Sequence, residues 1–120
     1  VFDAVSAQAE YVGGAIAPGI TIAADALFHS TSQLRRVELV RPTTAIGKNT
    51  VHALQSGLVL GYADMVKGMV ARFDCELGGG CTVIATGGLA GLIAQEVDVF
   101  DVVNQDLTLA GLRVIHDLNS

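Results

Sequence analysis

The sequence predicts an α/β fold in which a mixed sheet is organised around one long helix. Two alternating extended runs, "VFDAVS" and "YVGGAIA", open the chain. A stretch from Asn49 to about Glu76 repeats apolar residues at threes and fours. A β-branched run, "CTVIATGG", follows it and leads into two further helical patterns. In this order the third strand is reached through helical crossovers, which predicts that it lies parallel to one of the first two.

The first two runs flank a short polar turn, "AQAE", and read as a β-hairpin. "PGITIAADALFHSTSQL" then begins on Pro18 and Gly19 and spaces Ile22, Ala26 and Leu27 as a helix does. "VELVRP" is a short extended segment stopped by Pro42. In the dominant element, Val51, Leu54, Leu58, Tyr62, Met65, Met69 and Phe73 share one face of a helix about 40 Å long. The glycines at 78 to 80 end it. "CTVIATGG" reads as a buried strand, "LAGLIAQEV" as a helix and "LTLAGLRVIHDL" as a closing helix. The chain starts inside a strand pattern without Met, which reads as a piece of something longer.

At 120 residues with 51% hydrophobic content, the chain has the length of one domain and ample material for a core. Seven Lys and Arg against twelve Asp and Glu give a net charge of −5, and the basic residues are scattered singly. No basic stripe exists to neutralise a phosphate backbone, which argues against nucleic acid. Mean hydropathy is high at +0.52, yet no apolar run reaches the roughly eighteen residues of a membrane span. The surplus points to a buried interface. Cys75 and Cys81 form neither a disulfide framework nor a metal motif, and no secretory leader is visible, so a reducing cytoplasmic setting is expected.

"TAIGKNTVHAL" has the look of a phosphate loop because Gly47 and Lys48 precede a helix. A phosphate loop needs a glycine where Pro42 stands and a hydroxyl directly after the lysine, where Asn49 stands. The match therefore fails. Lys48, Asn49 and Thr50 can still offer donors at a helix start to an anion or carboxylate. "TVIATGGLAG" ends a strand at Thr86 and turns on Gly87 and Gly88, where glycines either make an ordinary turn or let backbone approach a nucleotide. Gly13 and Gly14 in mid-strand mark either a bulge or a wall of bare backbone. His29, His52 and His116 lack ligand spacing, so no metal site is expected from them, and Asp3, Asp25, Asp64, Asp98, Asp101 and Asp106 show no acid and base pairing. Gly57 and Gly61, four apart in the long helix, would let a second helix come close and support a helix-mediated dimer.

Taken in order, "FDAV", "YVGGAIAPGI", "IGKNT", "QSG", "ATGGLA" and "LTLAGL" resemble the second half of the type III pantothenate kinases. The resemblance runs over essentially the whole chain. It implies a ribonuclease-H-like fold of the actin-like ATPase superfamily, residues 1–120 being the C-terminal domain and the N-terminal half being absent. It also implies that the parent passes the γ-phosphate of ATP to pantothenate, with a divalent metal such as Mg2+ and a monovalent cation, K+ or NH4+. By the same resemblance Thr50 contacts pantothenate across a homodimer interface, and Gly13 and Gly14 line the active-site pocket. Thr86, Gly87 and Gly88 would lie by the adenosine.

The family's phosphate loop, its general-base aspartate and its cation-binding aspartate belong to blocks that would precede Val1. The resemblance thus implies that these 120 residues alone bind weakly and catalyse nothing. A non-catalytic binding module and a purely structural dimerisation domain of the same fold are the alternatives. They differ from the kinase in whether those upstream acidic residues exist.

Overall fold

The computed structural model describes residues 1–30 and 36–120. β1 (Phe2–Val5) and β2 (Tyr11–Ala15) form the expected antiparallel hairpin. The register shifts between Ala4 and Val5, which is a bulge, and Gly13 at the bulge has φ 144°. Gly14 faces β1 so closely that a Cβ there would stand 2.1 Å from the Phe2 carbonyl oxygen. The bulge reading of this glycine pair therefore has a direct cause, since the hairpin itself occupies the space.

α1 (Ile20–Ser30) follows Pro18 and Gly19. The tail of this helical pattern, residues 31–34, lies outside the described residues. The extended segment expected at "VELVRP" pairs with no strand among the described residues. The long helical rod over residues 50–76 is present, but it is not a uniform α-helix. It consists of α2 (Thr50–Gln55), a π-helical turn (Ser56–Leu60) and α3 (Gly61–Glu76). The periodicity did not reveal the π turn, because Leu54, Leu58 and Tyr62 are spaced by four, as in an ordinary α-helix. Asn49 starts the rod as a cap, its Oδ1 accepting the His52 N–H at 2.9 Å. Gly78, Gly79 and Gly80 end it, each at positive φ (91°, 87° and 74°), a conformation only glycine adopts freely.

β3 is shorter than predicted, covering only Ile84–Ala85, and Ile84 is exposed. α4 (Ala90–Ala94), β4 (Val102–Val103) and α5 (Leu107–Asn119) complete the chain. β3 pairs in parallel with β4 and not with the hairpin, so the described residues form two separate two-stranded sheets. The expectation that the third strand joins β1 or β2 is corrected here. "FDVVNQ" is too short and too mixed to announce a strand, yet the crossover through α4 (residues 86–101) brings it beside β3 in parallel.

The core is small. Ile20 and Ala24 of α1 pack on Leu58 of the π turn, with Ala23, Phe28, Leu39 and Tyr62 around them. Five of the nine buried apolar residues among those described are alanine, so little apolar area is withdrawn from water per residue. A radius of gyration of 17.0 Å against roughly 14 Å for a compact chain of this length says the same. The ample core expected from composition is not assembled within these residues; much of the apolar surplus is exposed. α5 is exposed along its whole length, including Leu109, Leu112, Ile115 and Leu118.

Gly47 lies against the first turns of the rod, where an added Cβ would come within 2.3 Å of the Ala53 backbone nitrogen. Gly47→Ala in the full-length protein should therefore destabilise it by about 1–3 kcal/mol. Gly68→Ala, where an added Cβ meets nothing within 4 Å, should be neutral or stabilising by up to about 1 kcal/mol. Thermal unfolding of both variants is the check, and equal melting temperatures would contradict the packing described.

Candidate functional site

The segment from Glu38 to Asn49 runs along the rod and is fastened to it at four places. The buried Gln55 side chain donates from Nε2 to the Glu38 carbonyl at 3.0 Å. Ser56 Oγ donates to the Ala45 carbonyl. Gly47 presses on Ala53, and Asn49 caps α2. These contacts explain the "GKNT" block without any phosphate. Gly47 is there for close approach, Asn49 for capping, and Thr50 becomes the first residue of a helix whose start is held in place.

Thr50 stands at the edge of a groove of about 830 Å3 between α1 and the rod. Its wall is apolar and includes Ile22, Leu27, Leu54 and Leu58. Pro18 reaches the same groove from the end of the "GGAIAPG" segment. The Tyr62 hydroxyl, also at the groove, donates to the Pro18 carbonyl at 2.7 Å, with the Gly19 carbonyl at 3.3 Å. The structure thus joins Thr50 with the tail of the hairpin segment. Gly13 and Gly14 themselves are not part of the groove lining, nor are Thr86, Gly87 and Gly88.

Thr86 and the two glycines form the turn between β3 and α4. Gly87 has φ 101°, and its carbonyl accepts the Ala90 N–H at 3.2 Å to start α4. Gly88 has no such constraint, and a Cβ on it would meet nothing within 4 Å. The two glycines are therefore different. Gly87 is required by backbone geometry, whereas Gly88 leaves an open surface beside the strand end.

Titratable groups cluster little. Asp3 accepts from the Tyr11 hydroxyl at 3.1 Å, and that hydrogen bond raises the Tyr11 pKa above 10.0. Burial, with the hydrogen-bonded Asp74 carboxylate adding to it, pushes the Cys81 thiol up from 9.0. Both cysteines are free thiols. Among the described residues no group of three or more His, Cys, Asp or Glu side chains could hold a metal ion. Glu96 and Arg41, which sequence reasoning passed over, form an ion pair with the Glu96 side chain almost fully buried. Gln55 and Ser56 entered only within the "QSG" block and Tyr62 only as a member of the apolar face, without the hydrogen bonds they make here. The available signals were a glutamine within an otherwise apolar helix face and an acid directly following "LIAQ".

This is an α/β domain with a long interrupted helix, and it shares its fold with a solved structure from Campylobacter jejuni described as a Baf family transcriptional activator. That likeness has a TM-score of 0.68 at 22% identity and covers 98% of this chain and 52% of that one. A family profile described as type III pantothenate kinase matches residues 1–72. The chain belongs to the type III pantothenate kinase family. It is 57% identical over 118 residues to the type III pantothenate kinase of a Roseiflexus species, 98% of this chain and 46% of that protein. It is 54% identical over 119 residues to that of Moorella thermoacetica, 99% of this chain and 47% of that protein. The chain therefore spans about half the length of the curated relatives it matches.

The geometry of the glycine turn makes a direct prediction. Gly87→Ala should cost about 1–2 kcal/mol, the penalty for placing a side chain in the left-handed region. Gly88→Ala should leave stability unchanged. Denaturant unfolding of the full-length variants separates the two, and an equally destabilised Gly88→Ala would mean that the space beside Gly88 is filled.

Proposed function

We propose that the full-length protein transfers the γ-phosphoryl group of ATP to the hydroxyl of pantothenate, giving 4'-phosphopantothenate, the first step of coenzyme A biosynthesis. The observation that carries this reading is the groove edge, where Thr50, held by a loop with four fastenings, meets Pro18 above an apolar wall. Pantothenate is itself divided in this way, with a dimethyl-bearing carbon between polar ends. Family membership supports the same substrate pair.

On this reading Thr50 binds pantothenate, while Gly13 and Gly14 set the hairpin whose continuation carries Pro18 to the groove. Thr86, Gly87 and Gly88 lie along the adenosine, with Gly88 as the open contact. The hydroxyl oxygen of pantothenate bonds to the γ-phosphorus as the bridging P–O bond breaks and ADP departs. The proton leaves the hydroxyl for a base outside this chain. A divalent metal and K+ or NH4+, when bound, would neutralise phosphate charge. Among the described residues no cluster of His, Cys, Asp or Glu suits a divalent metal, so on this reading its ligands lie elsewhere in the full-length protein.

The fold is read as ribonuclease-H-like, of the actin-like ATPase superfamily, with residues 1–120 as its C-terminal domain. The protein is read as a cytoplasmic homodimer; no helix among the described residues is long and apolar enough to cross a membrane. The dimer places a second copy over the groove, where Ile22 is 66% exposed and Gly57 leaves room for close approach. Leu58 is unsuited to test this, because it is buried against α1 within one chain. The same groove supports a second reading, a dimerisation domain without chemistry.

Thr50→Ala should raise the KM for pantothenate up to about tenfold while the KM for ATP stays nearly constant, as expected for loss of one hydrogen bond. An unchanged pantothenate KM would remove Thr50 from the substrate site. Ile22→Glu should dissociate the dimer and lower turnover with it, followed by light scattering across a protein-concentration series. A fully active monomer would refute the shared groove, and a dimer that turns over no pantothenate would favour the second reading.

A further inference from the structure

Glu96 lies two residues beyond α4, and its side chain is only 5% exposed. Its Oε1 is buried without a hydrogen bond. The ion pair with Arg41 lies at Nε to Oε1 3.3 Å, close enough for charge attraction but without hydrogen-bond alignment. The other two ion pairs among the described residues, Arg36 with Asp25 and Arg113 with Asp117, have both members well exposed. A buried carboxylate with one cationic neighbour is costly to leave alone, so the pair calls for an explanation.

Each partner is anchored to a different part of the candidate site. Arg41 precedes the buried Pro42 in the segment tied to the rod through Glu38 and Ala45, and that segment leads to Thr50. Glu96 is held to α4 by its N–H, which donates to the Ile93 carbonyl at 2.9 Å, and α4 starts on the Gly87 carbonyl. Among helices and strands, α4 finds its main neighbour in β4. The ion pair thus spans the joint between the Thr50 loop and the Thr86–Gly88 turn.

We propose that Arg41 and Glu96 are positioning residues, their ion pair holding the Thr50 loop and the Thr86–Gly88 turn in register so that the two substrates meet in line. The proposal rests on the kinase reading for its activity readout. Guanidinium suits the task because it stays charged while most of its side chain remains in water, and a single charge contact fixes a distance without enclosing the site. Phosphoryl transfer depends on alignment to within about an ångström, so a loosened joint affects the chemical step more than either binding step.

The test uses the full-length protein with Arg41→Ala, Glu96→Gln, the double variant and Arg41→Lys. Arg41→Ala should lower kcat by about tenfold to a hundredfold with the KM for ATP and for pantothenate within about twofold of the parent. Arg41→Lys should recover most of the loss. The double variant removes the stranded charge, so its melting temperature should return toward that of the parent while kcat stays low. A double variant with parental kcat would overturn the proposal, because the pair would then matter only for charge balance. Hydrogen exchange supplies a readout that needs no turnover. Glu96→Gln should speed amide exchange at residues 43–50, and Arg41→Ala at residues 86–94. If the parent does not phosphorylate pantothenate, the kinase reading fails, and the exchange result alone decides the bridge. Unchanged exchange across the joint in both variants would refute it.

Discussion

The π-helical turn at Ser56–Leu60 is the constraint from which the rest of the arrangement follows. An inserted turn of this kind widens the helix and changes the direction of the side chains on either side of it. Leu58 and Val59 are turned inward, and Leu58 becomes the partner of Ile20 and Ala24 in α1. Gln55 and Ser56, at the junction, are turned toward the loop and take its carbonyls at Glu38 and Ala45. One irregular turn thus builds the small core on one side and fixes the approach to Thr50 on the other.

The same economy explains why the groove exists. Since α1 touches the rod mainly at the π turn, the two helices diverge beyond it, and the space between them stays lined by apolar side chains. Tyr62 closes one end by donating to the Pro18 carbonyl, which ties the outgoing strand of the hairpin to the rod. A further tie comes from the Phe2 and Phe73 rings, whose centroids are 6.1 Å apart. The hairpin, α1 and the rod form one unit and β3, α4 and β4 a second, and the ion pair of Arg41 with Glu96 links the loop beside the first to the end of α4 in the second.

Gly13, Gly14, Gly47 and Gly87 show why the same residue type carries different information in different places. Each of these four has a structural cause in the backbone, either a positive φ or another chain segment within a side chain's reach. Gly57 and Gly88 have neither, and the space beside them is open. Sequence alone marks all of them equally, because a glycine records that a Cβ is unwanted and not what would have met it.

By itself the sequence determined what is local. The hairpin, the start of the rod at Asn49, its end at the glycine run, the last helix and the α/β class all follow from period, capping and turn chemistry, which act over a few residues. The family was legible too, because "GGAIAPG", "GKNT" and "ATGGLA" are contiguous blocks. Tertiary structure decided what depends on distant partners. It paired β3 with β4 because α4 brings "VV" beside it, it inserted the π turn where α1 and the loop both claim the rod, and it buried Glu96 against Arg41 across more than fifty positions of sequence. No periodicity encodes those pairings, since each arises from the competition of several segments for the same space.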